Sequence, residues 1–243
     1  MKKIEDKKRL RIDVSVDCVA FGFDDGELNV LLVERKAEYT DITDFKLPGN
    51  LIYDYEDIDD AAYRILFEST GIKKMTLKQF KCFGSPERTK NIEDVKWLES
   101  TSKLHIGRVL TVAYLSLCKI SQHLKFGSKY KSVIWCPVKN LPKMPFDHNL
   151  IVEESLKEIG LWFELEPSIA FELLPTKFTA AELRHLYEAI YSKKYEIRNF
   201  HKKIANMKYI IPLDEKQIGV SHRAARYYKF DRILYKKTRK SIL

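Results

Sequence analysis

The sequence has little cysteine and no paired-cysteine motif. Four cysteines occur in 243 residues, and none has the C-x-x-C spacing of zinc sites and redox motifs. Each has apolar neighbours in the sequence. We therefore expect four reduced core residues in an intracellular, cytoplasmic protein, with no disulfide and no zinc site. No cofactor and no other bound metal is expected either. They are Cys18, Cys82, Cys118 and Cys136.

Long apolar runs are also missing. No stretch approaches the ~20 apolar residues that cross a bilayer. The charged start "MKKIEDKKRLR" lacks the apolar segment of a signal peptide. A composition of 45% hydrophobic and 32% charged residues is typical of a soluble globular protein with a real core. We therefore expect neither membrane insertion nor export.

Excess negative charge is lacking, and the net charge of +9 is confined to one end of the chain. From Phe171 onward, 17 Lys and Arg face 7 Asp and Glu, a net of +10. Residues 1–170 carry 26 basic and 27 acidic groups, a net of −1. Such asymmetry is typical of a nucleic-acid-binding module attached to a near-neutral domain. A solvated basic face explains the charge equally well, so charge alone leaves both readings open.

The first two thirds of the chain mix strand and helix patterns. Residues 12–22 and 27–35 alternate as strands around the turn "DDG", which predicts a hairpin. Residues 86–107 are mostly polar, which predicts a long loop on the surface. Further strands are predicted at 75–85, 108–117 and 132–138. After Asp147, helical spacing places Leu150, Ile151, Ser155, Leu156 and Ile159 on one face. This order predicts a sheet packed between helices.

A composition change near residues 165–175 predicts a second domain. Thr179 and Glu182 form a capping box before a helix with apolar positions Leu183, Leu186, Tyr187 and Ile190. A second amphipathic helix follows, with Ile197, Phe200 and Ile204 on its expected buried side. Two short strands then bracket a polar loop. Two helices joined by a tight turn, followed by a hairpin, predict a winged helix-turn-helix.

One motif, "LPGNLIYDYEDIDDAAYRILFESTGI" at 47–72, resembles the Nudix box, G-x5-E-x7-R-E-U-x-E-E-x-G-U, where U is bulky and aliphatic. Two of its helical glutamates are replaced, by Ile65 and Ser69. "WCPVKNLPKMPFDHNLIVEESLKEI" resembles the way many Nudix-type domains end, and "FELLPTKFTAAELRHLYEAIYSKKYEIRNFHKKI" closely resembles Nudix-related transcriptional regulators of the NrtR/AraR type. The remaining matches to the box are Gly49, Glu56, Arg64, Leu66, Glu68, Gly71 and Ile72.

The resemblance implies an α+β protein: a Nudix-like α/β/α sandwich with a mixed sheet at 1–168, then a winged helix-turn-helix at 169–243. It implies a ligand-responsive bacterial regulator, in the first instance a repressor, that binds double-stranded operator DNA as a homodimer. Its small-molecule effector would be a sugar, a sugar phosphate or an ADP-ribose-like compound, as in regulators of sugar metabolism. Family members have a shorter connection where this chain has residues 89–107, so that insertion changes the ligand or lines the pocket.

Hydrolysis is not expected from the altered box. Nudix chemistry needs Mg²⁺ beside a diphosphate, and Mg²⁺ requires near-octahedral oxygen ligands. Glu68 alone among the three helical positions keeps its carboxylate, and Glu56 lies on the preceding loop. The plainer interpretation is an Arg64–Glu68 ion pair and a left-handed C-cap at Gly71. The competing hypothesis is a Mg²⁺-dependent hydrolase of a nucleoside diphosphate derivative with a basic accessory domain.

Candidate binding residues follow from residue type and the resemblance. Arginine reads guanine and asparagine reads adenine in the major groove, whereas lysine mostly meets phosphate. The predicted DNA contacts are Arg198, Asn199, His201, Lys202 and Lys203 on the second helix and His222, Arg223 and Arg226 on the wing. The tail "RILYKKTRK" is either a further phosphate contact or a disordered end. The predicted effector contacts are Arg35, Arg88, Arg108 and Glu68. His148 is expected to pack against the domain and not to act as a base.

Overall fold

An antiparallel hairpin opens the fold. The computed structural model describes residues 12–36, 43–73, 75–120, 133–219 and 224–240. Strands β1 (Asp13–Asp24) and β2 (Glu27–Lys36) pair through a two-residue turn. Asp25 and Gly26 both have positive φ, at 49° and 75°. An Asp-Gly pair with this backbone matches the right-handed twist of the strands, so the predicted hairpin is confirmed.

A mixed sheet forms the centre of the N-terminal domain. The other strands are β3 (Thr43–Lys46), β4 (Gly49–Leu51), β5 (Lys78–Phe83), β6 (Val109–Lys119) and β7 (Val133–Pro137). The order is β3-β2-β1-β6-β5, with β4 beside β1 and β7 beside β2. Strands β1 and β6 run parallel along their whole length, and the other described pairs of this sheet are antiparallel.

Helices cover both faces of this sheet. Val16, Cys18 and Ala20 of β1 face helix α1 (Ile58–Thr70), whereas Val19 and Phe21 face helix α3 (His148–Leu165). The alternation follows from the two-residue period of a strand. The α/β/α sandwich expected from the resemblance is therefore confirmed.

The stretch expected to be a polar excursion is ordered and partly buried. It forms a 3-10 turn, Pro86–Thr89, and helix α2 (Ile92–Ser102), which Asn91 caps by accepting from the Glu93 N–H. Val95 and Leu98 pack with Ile106 and Val109 in a small core. The expectation of a surface loop was wrong because two apolar residues three positions apart suffice to dock a short helix.

The C-terminal domain has the predicted winged-helix layout. In order it contains α4 (Ala170–Leu173), β8 (Phe178–Thr179), α5 (Ala180–Tyr191), α6 (Ile197–Asn206), β9 (Ile210–Lys216) and β10 (Arg226–Phe230). The strands form a sheet in the order β8-β10-β9. Thr179 and Glu182 make the predicted capping box, and all four predicted apolar positions of α5 are buried.

The two domains share one hydrophobic core. Phe21 and Phe23 of β1 belong to the same buried cluster as Leu173, Phe178 and Leu186. The winged helix therefore packs directly onto the sheet face that also carries α3. The boundary predicted at 168/169 lies within a 3-10 turn, Pro167–Ile169, and stays a prediction.

The basic tail forms a helix, α7 (Arg232–Lys240), which was not expected. Tyr235 is buried, and Arg239 pairs with Glu166 and donates to the Leu165 carbonyl at 3.0 Å. Amphipathic spacing that buries Tyr235 explains why this charged segment docks. No helix among the described residues is long and apolar enough to cross a membrane.

Three smaller expectations were wrong. Cys82 is exposed, Leu150 is 46% exposed and Ile197 is 60% exposed. Cys82 lies on β5, at the edge of the sheet. Leu150 lies on the outer side of α3. Ile197 is the first residue of α6 and lies beyond the aromatic cluster that packs on Phe200.

Candidate functional site

The helix of the Nudix-like motif is held by its arginine. Arg64 bonds Glu56 at 2.5 Å and Glu68 at 3.0 Å, and donates to the Leu51 carbonyl at 3.2 Å. The hydrogen bonds from Arg64 are the main reason that the pKa of Glu56 lies below its ordinary value. Gly71 ends the helix with φ 77° and donates to the Phe67 carbonyl. The predicted Arg64–Glu68 pair and the left-handed C-cap at Gly71 are confirmed.

The replaced positions of the motif differ in their surroundings. Ile65 is 1% exposed and packs in the core beneath α1, whereas Ser69 is half-buried. Counted back from Arg64, the glycine of the box falls on Asn50, so Gly49 lies one residue out of register. Gly49 has its own role, because a Cβ there would lie 1.9 Å from Asp17 Oδ1. Among the described residues, no three His, Cys, Asp or Glu side chains are grouped as metal ligands.

Arg88 lies in a buried ion-pair centre. Its side chain is 4% exposed and bonds Asp17 at 2.7 Å and also Asp147. Asp147 makes no side-chain cap at the start of α3, since its carboxylate is used by Arg88. Arg88 Nε is buried without a hydrogen-bond partner among the described residues. Arg88 is therefore a buried ion-pair residue, and its predicted contact with an effector stays a prediction.

Lys46 and His148 complete this centre. Lys46 Nζ donates to the carbonyls of Leu47 and Gly49, at 3.1 and 2.7 Å, and burial lowers its pKa to about 8. His148 Nδ1 accepts from the Leu47 N–H at 3.1 Å, so Nε2 carries the proton and faces Asp17 at 3.4 Å. Burial lowers the pKa of His148 to about 3. His148 packs against the domain, as expected, and its lowered pKa keeps it neutral at pH 7.

Asp17 is the common anion of the centre. Burial acts to raise its pKa, but the nearby His148, Arg88 and Lys46 act to lower it, and the net pKa is below the ordinary value. Asp17 therefore stays ionised beside cations that it neutralises.

Arg35 lies at the edge of the same centre and ties helix α2 to the sheet. It bonds Asp44 at 2.5 Å and Asp94 of α2 at 2.5 Å, and its side chain is 13% exposed. The other oxygen of Asp94 accepts from the Phe146 N–H at 3.0 Å. Arg35 and Lys46 also lie over the Trp97 ring of α2, at 5.4 and 5.5 Å from its centroid. The insertion thus covers the ion-pair centre.

The four predicted effector residues do not form one open pocket. Arg35 and Arg88 belong to the buried centre. Arg108 is exposed and donates to the Gly84 carbonyl at 2.6 Å, and Glu68 is half-exposed beside Arg64. Asp17, Lys46 and Asp94 were not predicted; an isolated charge within an apolar strand, such as Asp17, was the available signal.

The predicted DNA-contact residues of α6 share one exposed face. Arg198, Asn199, His201 and Lys202 are exposed, while Phe200 and Ile204 are buried. The carboxylate of Glu196 caps the helix by accepting from the N–H groups of Arg198 and Asn199. This leaves the side chains of both residues directed away from the core.

Lys203 differs from its neighbours. Although it is exposed, its ammonium lies over the Tyr187 ring at 4.4 Å and the Tyr195 ring at 5.6 Å. Partial burial lowers its pKa. Lys203 is therefore partly engaged in packing and less free than Lys202 to meet a phosphate.

The wing adds positive charge beside α6. His201, Lys216 and Arg226 line a cleft of about 500 Å³ between α6 and the strands of the wing. Lys216 was not predicted, although it ends a strand next to the polar loop. His222 and Arg223 lie outside the described residues.

Comparisons with known proteins agree with both domains. The NUDIX domain model matches residues 11–158, and the model of the NrtR DNA-binding winged helix domain matches residues 170–230. The "ADPR responsive transcriptional repressor NtrR" of Acinetobacter baylyi is 24% identical over 221 residues, which cover 89% of this chain and 81% of that protein. An "ADP-ribose pyrophosphatase" of Methanocaldococcus jannaschii is 24% identical over 64% of this chain and 82% of its own length.

A solved structure has the same fold along nearly the whole chain. The NrtR of Shewanella oneidensis, crystallised with a 27mer DNA, is 23% identical with a TM-score of 0.62. The match covers 90% of this chain and 93% of that one. The present chain belongs to the Nudix family, in the branch whose Nudix domain is followed by an NrtR-type DNA-binding winged helix domain.

Proposed function

We propose that this protein is a transcriptional repressor that binds operator DNA through its winged helix domain. The observation that carries the proposal is the exposed face of α6 on an NrtR-type domain. Arg198 and Asn199 lie in the first turn of the helix, where winged-helix and helix-turn-helix proteins contact base edges. Lys202, Arg226 and, on the wing, His222 and Arg223 contact phosphate, and Lys203 contributes less because its ammonium packs on Tyr187 and Tyr195. The protein acts as a homodimer, which matches the symmetry of a palindromic operator.

We further propose that the Nudix domain binds an ADP-ribose-like effector. Support comes from the A. baylyi relative, which is described as ADPR responsive. Arg35, Lys46 and Arg88 of the buried ion-pair centre offer the hydrogen-bond donors that a diphosphate needs, in the company of the carboxylates that now pair with the two arginines. Arg108 and Glu68 contact the outer part of the ligand.

Hydrolysis of the effector is not part of this function. Glu56 and Glu68 are both bound by Arg64, and Ile65 is turned into the core, so the motif helix offers few free oxygens to Mg²⁺. The hydrolase alternative draws its support from the archaeal ADP-ribose pyrophosphatase.

Fluorescence anisotropy with the intergenic DNA beside the protein's gene tests the DNA-binding role. We expect tight binding that weakens steeply with salt. The double substitution Arg198→Ala, Asn199→Ala should reduce affinity at least about tenfold, because each base contact contributes roughly 1–3 kcal/mol. Lys90→Ala, an exposed lysine of the N-terminal domain, serves as the control. Equal affinity in the double variant would refute the assignment of α6.

ADP-ribose is then added to the same complex. A shift in DNA affinity supports the effector assignment, and no shift at millimolar ADP-ribose contradicts it. Product release is followed with Mg²⁺ and ADP-ribose, sugar nucleotides and dinucleotides. Turnover that Glu68→Gln abolishes would establish the hydrolase in place of the sensor.

A further inference from the structure

Helix α2 places a carboxylate where an anionic ligand would be expected. Asp94 is 3% exposed although it lies on a helix with many polar residues. Its Oδ1 accepts from Arg35 Nη1 at 2.5 Å, and its Oδ2 accepts from the Phe146 N–H at 3.0 Å. A guanidinium and a backbone amide that share one oxyanion are a common arrangement for binding phosphate or carboxylate groups.

Asp94 is not needed to neutralise the cations below it. Arg88 is balanced by Asp17 and Asp147, and Arg35 keeps a two-bond contact with Asp44 in the absence of Asp94. Arg88 Nε still lacks an acceptor, and Lys46 donates only to carbonyls among the described residues. The centre therefore has donor capacity for an anion other than Asp94.

The loop opposite Asp94 is strained. Phe146 has φ 54°, a conformation that bulky side chains rarely adopt. Its N–H points to Asp94, and its ring packs on the guanidinium of Arg88 at 5.5 Å. Backbone strain held by surrounding contacts is found at ligand clamps and switch segments. Release of Asp94 frees this N–H for another acceptor.

We propose that Asp94 is an internal stand-in for an anionic ligand, so that α2 is a lid which a phosphate group displaces by taking its place at Arg35 and the Phe146 N–H. The ligand class is a phosphate or diphosphate ester. The inference deepens the proposed effector role, on which it rests for the identity of the natural ligand. Trp97 leaves Arg35 and Lys46 together with Asp94, since both residues lie on the same helix.

If Asp94 competes with the ligand, weakening its contacts should raise the affinity for the ligand. In Asp94→Asn the side chain keeps its shape and one acceptor oxygen but loses the charge and the second acceptor, so its contact with Arg35 and the Phe146 N–H weakens while those donors remain. The ligand affinity of Asp94→Asn should therefore exceed that of the wild type by about 5- to 100-fold, the range that is typical of coupled sites. Glu93→Gln removes the same charge from the exposed side of the same helix and should leave affinity unchanged.

The experiment is calorimetric titration of the full chain with pyrophosphate, comparing wild type, Asp94→Asn and Glu93→Gln. We expect tighter binding by Asp94→Asn only. Equal affinity in wild type and Asp94→Asn, or no binding by either, overturns the proposal. Hydrogen exchange of the wild type needs no variant: pyrophosphate should speed exchange in residues 92–102, and added protection there also overturns it.

Parallel titration with ADP-ribose separates this inference from the proposed function. If pyrophosphate binds Asp94→Asn more tightly than the wild type but ADP-ribose neither binds nor alters DNA affinity, the anion site is supported and the effector assignment is refuted. If ADP-ribose controls DNA binding but its affinity is the same in wild type and Asp94→Asn, the effector assignment stands and the lid falls.

Discussion

Acid should destabilise this protein through one buried imidazole, His148. The side chain is 2% exposed and lies between the Leu47 N–H and the carboxylate of Asp17. Burial lowers its pKa to about 3, and the neighbouring Asp17 only partly opposes this. In the unfolded chain the same imidazole titrates near 6.5.

The difference in the pKa of His148 between the folded and unfolded states sets how the unfolding free energy changes with pH. As pH falls below 6.5 the unfolded state takes up a proton that the folded state refuses until about pH 3, so unfolding becomes more favourable. Between pH 7 and pH 5 the loss is roughly 2 kcal/mol, at about 1.4 kcal/mol for each unit below the unfolded pKa. This is a large part of a typical 5–15 kcal/mol stability. Asp17 has a pKa below the ordinary 3.8, so its protonation lowers the stability of the fold only under more acidic conditions.

The assay is urea unfolding at pH 7 and pH 5, followed by the fluorescence of the three tryptophans. His148→Gln keeps an acceptor for Leu47 and a donor for Asp17 but cannot titrate. Its unfolding free energy should therefore fall by about 2 kcal/mol less than that of the wild type between the two pH values. His201→Gln, at an exposed side chain of α6, should behave as the wild type.

Equal losses of stability in His148→Gln and the wild type between pH 7 and pH 5 would contradict this role of His148. That result would mean that His148 is protonated in the folded state as easily as in the unfolded state. The stability of His148→Gln at pH 7 does not enter the comparison, because only the difference between the two pH values is used.

Three further predictions concern the same domain. Ile65→Glu restores a box glutamate but buries a charge in the core beneath α1, so the midpoint of thermal unfolding should fall sharply. Ser69→Glu, at a half-buried position, should be tolerated. An unchanged unfolding midpoint in Ile65→Glu would contradict the packing of Ile65 in the core. Gly49→Ala should cost about 1–3 kcal/mol in urea unfolding, because the new Cβ overlaps Asp17, and a neutral result would mean that Asp17 can move. Pyrophosphate binding at pH 8 should take up about half a proton as the pKa of Lys46 rises from about 8, seen as a buffer-dependent heat; Lys46→Met should remove this uptake.

Local patterns in the sequence predicted most of the fold. The Asp25-Gly26 turn, the capping box of Thr179 and Glu182 and the C-cap at Gly71 depend on neighbours a few residues apart. The apolar face of α5 depends on helical spacing. The order of strands and helices was sufficient for the sandwich and for the winged helix.

What the sequence could not predict depends on distant partners. Arg35 and Arg88 look like free cations in the sequence, and only the fold brings Asp94 and Asp147 to them, both 59 residues away. The same holds for α2, whose few apolar residues dock on Leu51 and Phe146. Ile197 was misplaced because helical periodicity does not show where the packing partner of α6 ends.

The replaced glutamates of the box and the buried ion-pair centre both bear on how a bound diphosphate would be neutralised. A bound diphosphate must be neutralised either by Mg²⁺ or by side chains. In this chain the motif helix offers little to a metal, while Arg35, Lys46 and Arg88 lie under the lid. The proposed binding of a diphosphate without cleavage therefore relies on these side-chain donors in place of Mg²⁺.

Asp94 should also influence DNA binding, because the centre is joined to the winged helix by packing. Asp147 and His148 lie at the start of α3, and the far part of α3 contacts α5 through Phe163 and Tyr187. Weaker contacts of Asp94 with Arg35 and the Phe146 N–H shift the protein toward the conformation that the ligand favours. Asp94→Asn should therefore change DNA affinity without ligand in the same direction as ADP-ribose changes that of the wild type. Glu93→Gln should have no effect in the same anisotropy assay. A shift in the opposite direction, or none where ADP-ribose acts strongly, would show that α2 is not the element through which the ligand reaches the DNA-binding domain.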